Sequence, residues 1–246
     1  MTSIAIIGGT GLTSLEGLEI TSKETVSIPY GDPSGSISKG KLSGKDILFL
    51  PRHGYDHSIP PHKVNYRANI DAIKQLGAEY VIAVNAVGGI TDEMQASTLS
   101  IPDQLIDYTW GREHTYYEGG DSGVEHIDFT HPYCETLRKS MIAAASQADI
   151  AVFDYATYAV TQGPRLETPA EINKYERDGC HIVGMTAMPE ASLAREKDLC
   201  YASIAVVANM AAGRGVGEIT MEEINLNLET GMDRVRSLLS AVISSL

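Results

Sequence analysis

The sequence predicts an α/β fold: a single domain with a mixed, mostly parallel central sheet flanked by helices. Three observations predict it. Short apolar runs rich in β-branched residues recur along the chain, amphipathic stretches lie between them, and several runs are apolar at consecutive positions. Continuous apolar runs mark strands buried on both faces, as in parallel sheets covered by helices on each side.

The strand-like runs, in order, are SIAIIG (3–8), DILFL (46–50), YVIAVNAVG (80–88), QLIDYT (104–109), TYAVTQG (157–163), HIVGMT (181–186) and YASIAVVA (201–208). Segment 21–50 reads as shorter antiparallel pieces. The first helix is expected over 64–78, where Ile70, Ile73 and Leu76 fall near one face before Gly77. A second is expected over 132–148. A third, over 168–179, opens with Thr168 as N-cap, Pro169 in the first turn and Glu171 three residues after the cap. The last runs over 219–246, with Ile224, Leu228, Met232, Val235 and Leu239 at helical spacing. No linker, repeat or low-complexity tract divides the 246 residues.

Composition narrows the function. The formal net charge is −13, which disfavours nucleic acid and anionic membrane surfaces as partners, because both are held by basic surface. No run approaches the roughly 20 apolar residues of a membrane span, and MTSIAIIGGTG lacks the basic start of a signal peptide. Cys134, Cys180 and Cys200 are odd in number and far apart, so neither a disulfide framework nor a zinc site is expected. Reduced thiols and a cytoplasmic location follow as expectations.

Several motifs fail on inspection. GGTGLT (8–13) follows a strand, but the G-x-G-x-x-G pattern that starts at Gly9 meets Ser14 where its last glycine belongs. GSISKGKL (35–42) has Leu42 in place of the P-loop hydroxyl residue. A nicotinamide oxidoreductase and a nucleotide-binding module without catalysis are therefore the weaker readings.

What survives is a set of polar residues at strand ends, where open α/β sheets bind ligands. Gly8, Gly9 and Thr10 end one strand, Arg52 and His53 a second, Asn85 and Ala86 stand near the end of a third, and Met185 and Thr186 end a fourth. Backbone N–H groups, hydroxyls and a cation converging this way form an oxyanion cradle. A second group pairs Glu167, beside Leu166, with Asn209, the amide that interrupts AVVANMAAG. A carboxylate and an amide against an apolar wall can read the edge of a heterocycle.

Taken together, IIGGTGL, PRHG, KVNYRANI, NAVGGI, QGPRLET, GMTAMPE and YASIAVVAN resemble the trimeric purine nucleoside phosphorylase and methylthioadenosine phosphorylase family, and most of all its bacterial S-methyl-5'-thioinosine phosphorylase branch. The resemblance runs over about residues 3–240 and implies a nucleoside phosphorylase-like fold, a homotrimer, and cleavage of a purine N-glycosidic bond by inorganic phosphate. Phosphate is then a co-substrate, and no metal or organic cofactor is implied. By position, Thr10, Arg52, His53, Asn85, Ala86 and Thr186 would line the phosphate, with His53 and Asn209 as the catalytic pair. Met185 would lie under the sugar, Leu166 would stand where the family usually places a phenylalanine, and Glu167, Asn209, Met210 and Ala211 would surround the base. His57 and Met221 would border the 5' end, and His126 would reach the neighbouring subunit's site.

Two departures set the expected substrate. Adenine-specific relatives carry aspartates at the places of Asn209 and Ala211 and a serine at that of Glu167. Asn, Ala and Glu instead suit a 6-oxopurine, whose N1–H can donate to Glu167. Relatives that accept inosine place a histidine where Met221 stands. An apolar corner made by Met221 and Ile219 suits a methylthio group. S-methyl-5'-thioinosine is the substrate expected from both ends together, with a general inosine and guanosine phosphorylase as the alternative.

Overall fold

A computed structural model describes residues 3–246. Its sheet is built on one long apolar strand, β5 (Ala78–Gly89), whose length lets it serve three partners. Five strands and a helix lie before or just after it in the chain order: β1 (Ser3–Gly8), β2 (Glu19–Glu24), β3 (Ile37–Leu42), β4 (Lys45–Pro51), α1 (Tyr66–Gln75) and β6 (Leu99–Ser100). Beyond them come β7 (Gln104–Asp107), α2 (Glu135–Gln147), β8 (Thr157–Val160), α3 (Pro169–Arg177), β9 (Ile182–Gly184), α4 (Glu190–Glu196), β10 (Cys200–Met210) and α5 (Met221–Ser245).

The strand order is β2-β3-β4-β1-β5-β9-β8-β7, and β10 pairs with β5 and with β6. β1 runs parallel to β4 and β5, and β10 runs parallel to β5. β2, β3 and β4 are joined antiparallel, as the segment 21–50 suggested. Side chains alternate across the central strands. Ala5, Ile7, Val81, Ala83, Ala205 and Val207 pack on the side of α1 and α4, and Ile4, Ile6, Ile82, Val84, Ile204 and Val206 pack on the side of α2 and α5. That double burial is why these strands read as continuous apolar runs.

The placement of partners along β5 creates the cleft. β1 pairs with Ala78–Ala83, and β9 joins antiparallel only at Gly88 and Gly89. β10 pairs with β5 at both of these stretches, so β1 and β9 share the opposite edge and leave a gap between them. Residues 84–87 of β5 floor that gap. On the other edge, a register shift between Val207 and Asn209 puts a bulge in β10 opposite Gly88. Bulges re-aim the side chains that follow them, and here the residue after the bulge is Asn209.

The helix expected over 168–179 forms as α3 with its full capping box: Thr168 accepts from the Glu171 N–H, and the Glu171 carboxylate accepts from the Thr168 N–H. α5 is capped by Thr220. β6 and α4 are absent from the sequence reading. β6 is two residues long, and α4, only seven, has no side-chain cap. The expectation of free thiols is overturned for two of the three cysteines. Cys134 and Cys200 form a disulfide, 66 residues apart in the chain, and Cys180 alone is free and buried. Sequence spacing hid the pair. Cys134 immediately precedes α2 and donates its N–H to the Tyr201 carbonyl, which seats it beside the first residue of β10.

Candidate active site

The gap in the sheet opens into a cavity of about 360 Å³. β1 delivers Gly9 and Thr10 to it, and β4 delivers Arg52 and His53. Glycine is required at position 9, because a Cβ there would lie 2.4 Å from the Val84 carbonyl oxygen and 3.0 Å from Arg52 Nη1. Arg52 is fully buried, yet its guanidinium is saturated on one side. Nε and Nη2 donate to the two carboxylate oxygens of Glu190 at 2.6 and 2.7 Å, and Nη1 donates to the Val84 carbonyl at 3.0 Å. Val84 lies where β5 has lost β1 and not yet met β9, so the arginine replaces a missing strand partner. Two guanidinium N–H groups remain uncommitted. Glu190 also accepts from the Tyr201 hydroxyl at 2.8 Å. A bidentate pair of this kind fixes the plane of the guanidinium.

His53 Nδ1 lies 2.8 Å from the Ile59 carbonyl, which can only accept, so Nδ1 carries the proton and Nε2 is an acceptor. Burial, reinforced by the nearby Arg52 cation, pushes its pKa down to about 4, so the ring is neutral at ordinary pH. The His57 ring stands 4.8 Å from that of His53, with Nε2 at 3.5 Å from the Thr10 hydroxyl. Thr186, from the end of β9, accepts from Asn85 Nδ2 at 2.7 Å, and Asn85 Oδ1 accepts from Ser203 at 2.5 Å. The Thr186 proton is thereby left to donate into the cavity. Asn85 itself does not line the cavity: it stands behind Thr186 and orients it.

Glu167 and Asn209 border the same space, together with Ala211, Met185 and Val183. Glu167 Oε1 accepts from the Thr161 hydroxyl at 2.7 Å. Burial raises the Glu167 pKa above the usual carboxylate range, and this hydrogen bond works against that rise. Asn209 Nδ2 donates one proton to the Met210 carbonyl at 2.7 Å, which fixes the amide's orientation and leaves its second N–H and Oδ1 free. Leu166 stands 45% exposed at the mouth. His57, Ile219, Met221 and Ile224 form a mostly apolar corner. A second hollow of about 180 Å³ lies on the far side of Glu167, against Tyr108, Trp110 and Tyr175.

Of the residues singled out from the sequence, fourteen meet at this cavity: Gly9, Thr10, Arg52, His53, His57, Ala86, Leu166, Glu167, Met185, Thr186, Asn209, Ala211, Ile219 and Met221. Asn85 and Met210 sit behind the wall, and His126 lies on an exposed loop outside it. Three supporting residues escaped sequence reasoning. Glu190 lies in the quoted GMTAMPE stretch, and a buried arginine needs such a partner. Thr161 stands at the start of TQGPRLET. Arg112, in an irregular segment without a pattern, donates to the carbonyls of Gln162, Met185 and Met188 at 2.9, 2.8 and 2.6 Å, tying the strand ends together.

The chain resembles known proteins over nearly its whole length. Residues 3–244 match the model of the phosphorylase superfamily. The chain is 54% identical over 245 residues, all of both chains, to a probable S-methyl-5'-thioinosine phosphorylase of Pseudomonas syringae pv. tomato. It is 44% identical over 248 residues to the 6-oxopurine nucleoside phosphorylase of Pyrococcus furiosus, covering 98% of this chain and 92% of that one. Among solved structures, methylthioadenosine phosphorylase from Schistosoma mansoni in complex with adenine superposes with a TM-score of 0.95 at 30% identity, covering 99% of this chain and 91% of its own. Matched over nearly its whole length by the family model and by these relatives, the chain belongs to the phosphorylase superfamily.

Proposed function

We propose that the chain catalyses the reversible phosphorolysis of S-methyl-5'-thioinosine to hypoxanthine and S-methyl-5-thioribose 1-phosphate. The observation that carries this reading is that a carboxylate–amide pair and an apolar corner share one cavity with the anion cradle. Phosphate held by Thr10, Arg52, Thr186 and backbone N–H groups attacks C1' from below. The C1'–N9 bond breaks, its electron pair passes to the purine, and the sugar carries oxocarbenium character on the way, as in glycoside hydrolysis. Donors aimed at the purine charge act mainly in the transition state. Asn209 supplies one at N7, and its fixed amide is already oriented for it. Glu167, ionised, accepts from N1–H of a 6-oxopurine. Adenine offers no N1–H, and it would leave the second oxygen of a buried carboxylate without a donor.

At the 5' end, Ile219, Met221 and Ile224 give a methylthio group apolar and thioether neighbours. The names of the similar proteins support both halves of the assignment: thioinosine phosphorylases for the whole, and 6-oxopurine phosphorylases for the base. The reaction as proposed uses phosphate as co-substrate and calls on no metal or organic cofactor. A homotrimer, with His126 reaching a neighbouring site, belongs to the same proposal and rests on the family resemblance. So does a cytoplasmic location, for which the cysteines no longer argue.

The test is hypoxanthine release from S-methyl-5'-thioinosine in matched buffers with and without phosphate. Release is expected only with phosphate, alongside equimolar sugar phosphate. Equal release without phosphate means a hydrolase and overturns the proposal.

A further inference from the structure

β7, β8 and β9 are parallel neighbours, so their C-terminal loops leave the sheet at the same edge. On the proposed reading, the loop after β8 carries Glu167 to the base, and the loop after β9 carries Met185 and Thr186 to the sugar and the phosphate. Pairing between β8 and β9 stops at Val160 and Gly184, and the Thr161 N–H still reaches the Gly184 carbonyl at 2.8 Å. Beyond that point, no hydrogen bond joins residues 162–168 directly to residues 185–189 among the described residues. Arg112, in the loop after β7, supplies the link. Its Nε donates to the Gln162 side-chain oxygen at 3.2 Å. Nη1 donates to the Met185 and Met188 carbonyls at 2.8 and 2.6 Å, and Nη2 to the Thr161 and Gln162 carbonyls at 3.2 and 2.9 Å. A guanidinium has five N–H groups, and here each has its own acceptor. None of the five goes to a carboxylate: the cation is solvated by main-chain carbonyls and one side-chain amide, and it lies 5.5 Å from the centre of the Tyr66 ring. Its charge strengthens each of these bonds.

Phosphorolysis needs phosphate, C1' and the leaving purine in line, so the spacing of these two loops governs the alignment of the reacting groups. We infer that Arg112 is a positioning residue that fixes the loop after β8 against the loop after β9 and so keeps the base in line with the phosphate, a role that rests on the proposed phosphorolysis. Arg112 does not line the cavity, and its effect passes through the loops it joins. The planar fork is what the position requires. A lysine would keep the charge, but its three donors radiate from one atom and cannot serve five acceptors on two loops. Phosphate binding has its own supports, since Asn85 holds Thr186 and Glu190 holds Arg52.

The experiment compares wild type, Arg112→Lys and Arg112→Ala, each assayed below its own Tm. It measures kcat/KM for S-methyl-5'-thioinosine at saturating phosphate and, by calorimetry, Kd for inorganic phosphate alone. Arg112→Ala is expected to lose about 100-fold in kcat/KM, the cost of misplacing reacting groups by about 1 Å. Arg112→Lys, which folds with the charge retained, should still lose about tenfold or more. Kd for phosphate should stay within about threefold of wild type in both, as for a site that shares no contact with the substitution. A lysine variant as active as wild type would mean that the fork positions nothing. Phosphate affinity that falls in step with kcat/KM would mean that Arg112 merely supports the fold. Either result overturns this inference and leaves the phosphorolysis standing. A wild-type enzyme that releases no hypoxanthine with phosphate present overturns the proposed reaction and this inference with it.

Discussion

His53 donates from Nδ1 to Ile59 and is buried beside Arg52, so protonating its second nitrogen costs both solvation and like-charge repulsion. The consequence for stability has a definite sign. The unfolded chain takes up a proton near pH 6.5, the ordinary value, whereas the folded chain waits until about pH 4. Between those values the unfolded state binds more protons, so the histidine's contribution is intact above pH 6.5 and is lost as pH falls toward 4. The loss amounts to about 3 kcal/mol at most. Urea unfolding of wild type and His53→Gln at pH 7 and pH 4.5 should show wild type losing more stability across this interval than the variant. Equal losses would mean that His53 titrates normally in the fold. At this same scale, much of the site was open to sequence reasoning because strand ends in a parallel sheet converge. Thr10, Arg52, Thr186 and Asn209 each end an apolar run, and the chain carries them to one cavity. Glu190 was not legible by the same route. It lies 138 residues from Arg52 and is no strand end, and only the tertiary fold brings carboxylate to guanidinium.

At the scale of elements, the central strands and the capped helices follow from local physics. The apolar runs at 3–8, 80–88 and 201–208 became β1, β5 and β10 within a residue or two, since a strand covered on both faces leaves an unbroken signature. Thr168 and Glu171 announced α3 because a capping box is written in residues three apart. Position along a strand is different. The gap between β1 and β9, and the bulge that turns Asn209, are properties of register, which depends on strands far apart in the chain. The Cys134–Cys200 bridge belongs to this class too. It ties the start of α2 to the start of β10, and β10 carries Asn209 at its far end. Closing a loop of 66 residues constrains the unfolded chain, an effect worth about 2–4 kcal/mol in typical proteins. Reduction with a phosphine, or Cys134→Ser, should therefore lower Tm by roughly 5–15 °C. Three titratable thiols in the denatured, unreduced protein would show instead that the bridge does not form.

At the scale of the whole molecule, the sheet separates two chemistries within one cavity. Arg52 arrives already paired with Glu190, so the buried pair adds little net charge, and the phosphate site proposed here would rely on oriented N–H and O–H groups. Elsewhere the cavity holds a buried carboxylate, Glu167, that accepts from Thr161, and its rim near α5 is mostly apolar. On the proposed reading, base choice and 5' choice would be set by different elements, the approach to α3 with the end of β10 for one and α5's first turn for the other. The central claim is that both choices operate together on a methylthio 6-oxopurine nucleoside. Its most direct test is kcat/KM for S-methyl-5'-thioinosine against inosine at saturating phosphate. A 5' corner that is apolar but for His57 predicts a preference for the methylthio substrate of about tenfold. Equal values, or a preference for inosine, would contradict the account.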